Sequence, residues 1–327
     1  MKKLEIGIIG GAGTTAGELI RLLLQHPKTN INFVYSTSNA GNKLHKVHQD
    51  LIGNTAISFV SEINAEVDVL FLCLGHGNST AFLEKNRFSK NTKIIDLSND
   101  FRLLADKNFE GKGFVYGLPE LDKEVIKTAK YIANPGCFAT ALQLAILPLA
   151  ANGLLYDDVH INAVTGATGA GTSLSETTHF TYRDNNFSHY KAFNHQHLGE
   201  INQTVQQLQA HFNAEINFVP NRGNFSRGIF ATTYTKYEGS LAEAITLYKA
   251  YYKDAAFTFV SEEEIHLKQV VNTNKCLIHL AKHGTKLLIT SAIDNLLKGA
   301  SGQAVQNLNL MYGFEETLGL NLKASYF

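Results

Sequence analysis

Two short clusters in this sequence combine residue types and spacings that can do covalent chemistry. The first is Asn134-Pro135-Gly136-Cys137-Phe138-Ala139-Thr140. Asn-Pro-Gly marks a sharp turn, and a helix-forming run from Phe138 through Leu149 to Asn152 follows it. Cys137 therefore falls where a helix begins, among N–H groups without intrahelical partners and at the positive end of the dipole. Both effects favour the thiolate, which is the nucleophile. A small buried cysteine near a turn leaves the same local signature, so the heptapeptide alone keeps both readings open. The second cluster is His195-Gln196-His197, which can supply a general acid/base beside a thiolate. The same spacing offers two metal ligands, but no third ligand sits at useful spacing and no metal is expected.

The elements before these clusters suggest a partner for the thiolate. Leu4–Ile9 reads as a buried strand ending in Gly10-Gly11-Ala12-Gly13. From Ala16 to His26 the apolar residues Leu19, Ile20, Leu23 and Leu24 recur at helical spacing, and Ile31–Tyr35 reads as a second strand. Strand, glycine turn, helix, strand is the opening unit of a dinucleotide-binding fold. The turn reads Gly10-x-x-Gly13-x-x-Ala16-Gly17, not the commoner G-x-G-x-x-G. Glycine alone marks only a tight turn, and the surrounding strand and helix give it meaning. Gly10 and Gly13 would let the backbone approach a pyrophosphate at the helix N-terminus. An NAD-specific site places Asp or Glu at the end of the second strand. This chain has Ser36-Thr37-Ser38-Asn39 and Lys43 there, with no acidic residue before Asp50. Ser36, Ser38 and Lys43 suit a 2′-phosphate, so NADP(H) is the expected cofactor. A merely polar loop is the plainer reading of the same residues.

Val67–Leu74 reads as the next buried strand and runs into Gly75-His76-Gly77-Asn78-Ser79. Such strand-end loops line the ligand crevice of a parallel sheet, which puts Gly75 and Ser79 in the cofactor set, with Ser79 also capping the following helix. Lys93–Ile95 ends in Asp96-Leu97-Ser98-Asn99-Asp100-Phe101-Arg102. Arg102 could clamp a phosphate or carboxylate there, although a surface arginine is the plainer local reading. Beyond Asn152, Val159–Val164 is strand-like and leads into Thr165-Gly166-Ala167-Thr168-Gly169-Ala170-Gly171-Thr172, a flexible loop suited to close ligand approach. Helices are expected over about 199–212, 242–252 and 301–312, and strands over 229–237, 276–281 and 286–292. The fold class is therefore α/β. A Rossmann-type dinucleotide-binding domain over 1–136 is joined by a C-terminal helix at about 301–327, and an α+β catalytic and dimerisation domain covers 137–300.

The totals narrow the partners. Lys+Arg 29 balances Asp+Glu 29, so nothing in the charge favours nucleic acid or an anionic membrane as partner. No apolar run reaches the length of a membrane span, and Met1-Lys2-Lys3 leads into a strand with no signal-peptide pattern. The three cysteines, Cys73, Cys137 and Cys276, are an odd number at unrelated spacings, which argues against a disulfide framework. A cytoplasmic protein with reduced thiols is expected. A nicotinamide site and a thiolate in one chain suggest acyl transfer to sulfur followed by hydride reduction of the thioester.

Further stretches carry a resemblance over nearly the whole length. Ile9–Leu19 is similar to the cofactor turn of the N-acetyl-gamma-glutamyl-phosphate reductase family, the arginine-pathway relatives of aspartate-semialdehyde dehydrogenase. Asp96–Arg102 resembles that family's DLSADFR, and Gly117-Leu118-Pro119-Glu120 also matches. Asn134–Cys137 resembles its nucleophile motif, Thr165–Gly171 its TGVSGAG loop, and His195–Ile201 its HRHxPEI. Arg227-Gly228-Ile229 and Asp294–Asn307 complete the set. The resemblance implies that Cys137 attacks an acyl phosphate, phosphate leaves, and NADPH reduces the thioester to N-acetylglutamate 5-semialdehyde. It implies His197 as acid/base, with His195 the weaker claimant. It implies Arg102, Glu200 and Arg227 at the substrate, and Thr14, Thr15, Gly169 and Asn295 with the cofactor. A homodimer or homotetramer is implied as well. The chain departs from the family pattern at Gln196, Gly199, Asn224 and Phe225, on the substrate side. Acetyl is the family default for the substrate's acyl group, with succinyl the alternative. Aspartate-semialdehyde dehydrogenase, or an aminoadipate-type reductase with a carrier-linked substrate, is the nearest rival, and a nucleotide-binding sensor or a Cys–His acyltransferase or hydrolase the more distant ones.

Overall fold

The computed structural model describes residues 2–327, and their contacts divide them into two units. The first comprises the residues up to Pro135 together with Ala300–Asn321. Its strands are β1 (Leu4–Ile9), β2 (Thr29–Tyr35), β3 (Val69–Leu72), β4 (Lys93–Asp96), a small hairpin of β5 (Asn108–Phe109) and β6 (Lys112–Gly113), β7 (Val115–Tyr116) and β8 (Tyr131–Ala133). Six of them form a parallel sheet in the order β2-β1-β3-β4-β8-β7. Val69–Leu72 is wholly apolar and buried, and the second half of β1 is buried too, as a sheet covered on both faces requires. Between strands run α1 (Thr14–Gln25), α2 (Ser79–Lys85) and α3 (Pro119–Thr128). Ala16, Leu19, Ile20 and Leu23 form the buried stripe of α1.

The second unit comprises Gly136–Gly299 with Leu322–Phe327. It opens with α4 (Cys137–Ala151), continues through β9 (Val159–Thr165), α5 (Phe180–Arg183), β10 (Ser188–His189), α6 (His197–Leu208), β11 (Ile216–Arg222), β12 (Ile229–Lys236) and α7 (Leu241–Tyr251), and closes with β13 (Thr258–Ser261), β14 (Cys276–His283) and β15 (Lys286–Ile293). The sheet order is β10-β11-β9-β12-β15-β14-β13, with β11–β9 and β13–β14 parallel and the other pairs antiparallel. Phe138 through Ala150 are all buried, so α4 is the core helix of this unit. Pro148 lies inside it and leaves the Leu144 carbonyl without the N–H that a helix would supply. The Tyr252 hydroxyl donates to that carbonyl at 2.5 Å, and the Tyr248 hydroxyl donates to Ala145 O at 2.6 Å. A π turn, Leu297–Ser301, precedes the buried α8 (Gly302–Met311), which belongs to the first unit.

One element was not anticipated, and three expectations are corrected. Residues 216–222 form a strand that the sequence hides, because Pro220 interrupts an otherwise strand-like run. The proline is tolerated because one neighbour, β10, is only two residues long. The loop after β9 is tied down at its start: Gly166, Ala167 and Thr168 donate backbone N–H groups to Gly228, Phe225 and Ser226. Ser79 does not cap α2, since the N-cap is Asn78 and the Ser79 hydroxyl turns inward to Asp96. The C-terminal helix ends at Met311, and Leu322–Phe327 groups with the second unit, where Ser325 N donates to Val271 O.

Candidate active site

In the first unit, α1 begins with Gly13 as an N-cap that makes no side-chain bond, and its first turn holds no acidic residue. Its leading N–H groups are open to an anion, with Thr14 and Thr15 as the first helical residues. Gly10 has φ +76°, and a Cβ there would stand 2.6 Å from Cys73 O, so only glycine fits. These features fit a dinucleotide pyrophosphate. Past β2, Ser36, Ser38 and Asn39 are tied together by their side chains, and the exposed Lys43 ammonium donates to Ala56 O. Gly75 opens the loop after β3, and its carbonyl accepts from Asn78 Nδ2. The fully buried Asp96 carboxylate accepts from Ser79 Oγ at 2.7 Å and Ser98 Oγ at 2.6 Å. Burial pushes its pKa up to about 6, against those hydrogen bonds and the nearby Arg102 charge.

Arg102 is buried rather than at the surface. Its Nε donates to Asn134 O at 2.9 Å and its Nη2 to Leu97 O at 3.0 Å. Asn134 is held by its other groups too. Its N donates to Asp96 O, its Nδ2 to Ala300 O, and its Oδ1 accepts from Asn307 Nδ2. The residue entering the Pro-Gly-Cys turn is thus fixed on every polar atom.

In the second unit, Cys137 is the first residue of α4 and lies at intermediate burial. Glu200 on α6 accepts the Gly136 N–H at 3.0 Å. The space a Gly136 side chain would fill is taken by the His197 ring, with Nε2 nearest, so the imidazole packs directly on the turn that carries the sulfur. Gly299 approaches from the other direction, where a Cβ would fall 2.8 Å from Cys137 Cβ. His195 sits behind His197, accepting the His197 backbone N–H on Nδ1 at 3.2 Å, which places its own proton on Nε2. Phe138, Phe218 and Tyr190 surround the His195 ring. Burial in this apolar cage, with Lys191 adding to it, lowers the His195 pKa to about 4.

The structure therefore brings Cys137, His195, His197 and Glu200 into one cluster. Arg227, Gly169 and Asn295 form another around the loop after β9. Arg227 grips the buried Asp294 through Nε and Nη2 at 3.1 and 3.2 Å. Asn295 accepts from Gly228 N and donates to Thr168 Oγ1, bracing the loop. Gly169 lies against Thr165. Two residues escaped the sequence reading, Tyr190 and Arg222. Burial, then the Cys137 charge, pushes the Tyr190 phenol up to about 12, against the pull of Arg222. The Arg222 guanidinium lies over the Tyr190 ring, 4.8 Å from its centroid. Tyr190 falls in an irregular polar, aromatic stretch, and Arg222 ends the strand hidden by Pro220, so periodicity marked neither.

Residues 5–129 match the family described as semialdehyde dehydrogenase, NAD binding domain, and residues 137–295 match semialdehyde dehydrogenase, dimerisation domain. The chain belongs to the semialdehyde dehydrogenase family. It is 69% identical to an N-acetyl-gamma-glutamyl-phosphate reductase of Christiangramia forsetii, over 99% of this chain and 100% of that one. It is 62% identical to the reductase of the same name from Flavobacterium johnsoniae, with the same coverage. Among solved structures it is similar to aspartate semialdehyde dehydrogenase II from Vibrio cholerae, with TM-score 0.73, 15% identity, and 95% and 99% of the two chains covered. Aspartate semialdehyde dehydrogenase with NADP from Candida albicans gives TM-score 0.66 at 13% identity over 95% and 99%. At those identities the structures testify to the fold alone.

Proposed function

We propose that this chain is an N-acetyl-gamma-glutamyl-phosphate reductase, which converts the acyl phosphate to N-acetylglutamate 5-semialdehyde and inorganic phosphate, using NADPH. The observation that carries the reading is the sulfur of Cys137 at an uncapped helix start, with the His197 imidazole packed on the preceding glycine. His197 takes the thiol proton as the sulfur attacks the acyl carbon. The first N–H groups of α4 face the developing oxyanion. The C–O bond to phosphate breaks and a Cys137 thioester remains. NADPH, when bound, would supply the hydride for reduction of this thioester. The C–S bond then breaks, releasing the aldehyde and restoring the thiolate. His195 is kept neutral by its cage and holds the His197 backbone, so His197 is the proton carrier and His195 a positioning residue. Glu200 holds the Gly136 N–H, and Arg102 fixes Asn134. Arg227, through Asp294, stiffens the loop on the substrate side.

Gly10, Gly13, Thr14, Thr15, Gly75 and Ser79 would hold the dinucleotide, with the first N–H groups of α1 on its pyrophosphate. Ser36, Ser38 and Lys43 favour NADP over NAD by meeting a 2′-phosphate with hydroxyls and a cation. The three free cysteines fit the reducing cytoplasm. The family's dimerisation domain supports an oligomer, and we assign the contact to the open sheet face. Phe230, Tyr234, Leu277 and Phe259 lie exposed or partly exposed on that sheet, the Tyr234 ring stacked on His160. Sedimentation should give a dimer or tetramer that Tyr234→Glu dissociates; a monomeric wild type contradicts this. The activity is tested by phosphate-dependent NADP reduction with N-acetylglutamate 5-semialdehyde and aspartate semialdehyde side by side. Turnover that requires phosphate and prefers the N-acylated glutamate derivative supports the reading. A preference for aspartate semialdehyde overturns the substrate and keeps the chemistry.

A further inference from the structure

Three arginines of the second unit lie near the strand ends, and they differ in what occupies their charge. Arg227 is paired with Asp294. Arg183 spends its guanidinium on Thr177 O, Asn186 O, Arg222 O and Ser188 Oγ. Arg222 has no carboxylate partner among the described residues, and its Nε is screened from solvent with no acceptor. Phe218, Pro220 and Arg222 alternate onto one face of β11. Phe218 touches Phe138 and His195, with centroids at 5.1 and 5.6 Å, so that face looks toward the Cys137 cluster. Tyr190 joins the two, with its ring against both His195 and Arg222 and its phenol within electrostatic reach of Cys137.

A half-buried guanidinium without a counter-ion is a poor structural element, because it is partly desolvated and nothing in the fold neutralises it. Its planar fork matches a carboxylate. The Tyr190 ring, 4.8 Å away, restrains the guanidinium and so lowers the entropy cost of binding. We propose that Arg222, seated on Tyr190, is a substrate-binding residue for a carboxylate of the acyl phosphate substrate, separate from the phosphoryl group that leaves. The inference rests on Cys137 being the nucleophile. Two carboxylates qualify: the α-carboxylate of the glutamyl unit, or a second carboxylate on a dicarboxylic N-acyl group.

The test compares wild type, Arg222→Leu and Arg222→Lys in phosphate-dependent NADP reduction. Two substrate pairs are used: N-acetylglutamate 5-semialdehyde against its α-carboxamide, and the N-succinyl against the N-acetyl semialdehyde. In wild type the charged member of one pair should be preferred by about tenfold or more in kcat/KM, the size of a charge-assisted contact. Arg222→Leu should erase that preference through KM, and Arg222→Lys should keep part of it. The pair that collapses identifies the carboxylate. Should Arg222→Leu turn over too slowly, protection of Cys137 from alkylation by N-acetylglutamate and N-succinylglutamate gives the same answer without turnover. The proposal is overturned if both preferences survive in a folded Arg222→Leu enzyme, or if protection needs no more ligand than in wild type. Failure of the nucleophile assignment looks different, because alkylating Cys137 in wild type would then leave turnover intact.

Discussion

Tyr252→Phe removes one oxygen atom and should cost more than a hydrogen bond usually does. The hydroxyl is the donor to Leu144 O, at 2.5 Å, and Pro148 supplies no N–H to that carbonyl. Leu144 is wholly buried and Tyr252 nearly so, so water cannot take the vacated place. A neutral hydrogen bond contributes about 0.5–1.5 kcal/mol net, whereas a stranded buried carbonyl costs about 1–3 kcal/mol. The second figure governs here, since the phenylalanine leaves the acceptor in place. In thermal unfolding this corresponds to roughly 2–4 °C per kcal/mol for a unit of this size. The decisive control is Pro148→Ala, which restores the helical N–H. In that background Tyr252→Phe should lose most of its effect, leaving a coupling of about 1 kcal/mol or more in a double-mutant cycle. Equal costs in both backgrounds, or a cost below about 0.5 kcal/mol in wild type, would refute the claim that the tyrosine replaces the missing N–H.

Two further expectations follow from the site. His195 has its pKa lowered from 6.5 to about 4, so the folded state binds fewer protons than the unfolded state between those values. Its contribution to stability is complete above pH 6.5 and is lost as pH falls through about 4, amounting to at most about 3 kcal/mol. Denaturant midpoints for wild type and His195→Gln should therefore converge as pH falls from 7.5 to 4.5, and a constant gap would contradict the assignment. Arg102→Lys keeps the charge but cannot span Asn134 O and Leu97 O at once. It should lower kcat by about tenfold or more with NADPH affinity retained; an unchanged kcat would mean that the bracing of Asn134 is irrelevant to the sulfur.

Much of this was legible in the sequence, for identifiable reasons. The parallel strands carry short apolar stretches such as Val69–Leu72, and the glycine turn before α1 sits between a clear strand and a clear helix. The Asn-Pro-Gly-Cys turn is local chemistry, so Cys137 could be placed at a helix start without coordinates. Residues whose roles depend on distant partners were not legible. From its local context Arg102 read as an anion clamp or a surface arginine, because its acceptors, Leu97 O and Asn134 O, are backbone atoms that leave no sequence mark. Glu200 reaches Gly136 across 64 positions. Arg222 lies on a strand that Pro220 disguises, and its lack of a carboxylate partner among the described residues is visible only when every neighbouring acid is placed.

The central claim, that Cys137 carries the acyl group, is tested most directly by trapping it. The enzyme would be mixed with N-acetylglutamate 5-semialdehyde and NADP without phosphate, quenched, and digested for peptide mass spectrometry. The account predicts an acyl adduct on the Cys137 peptide that phosphate discharges and that Cys137→Ser abolishes while still binding NADPH. Turnover at the wild-type rate by Cys137→Ser, or an adduct on Cys73 or Cys276 instead, would contradict it.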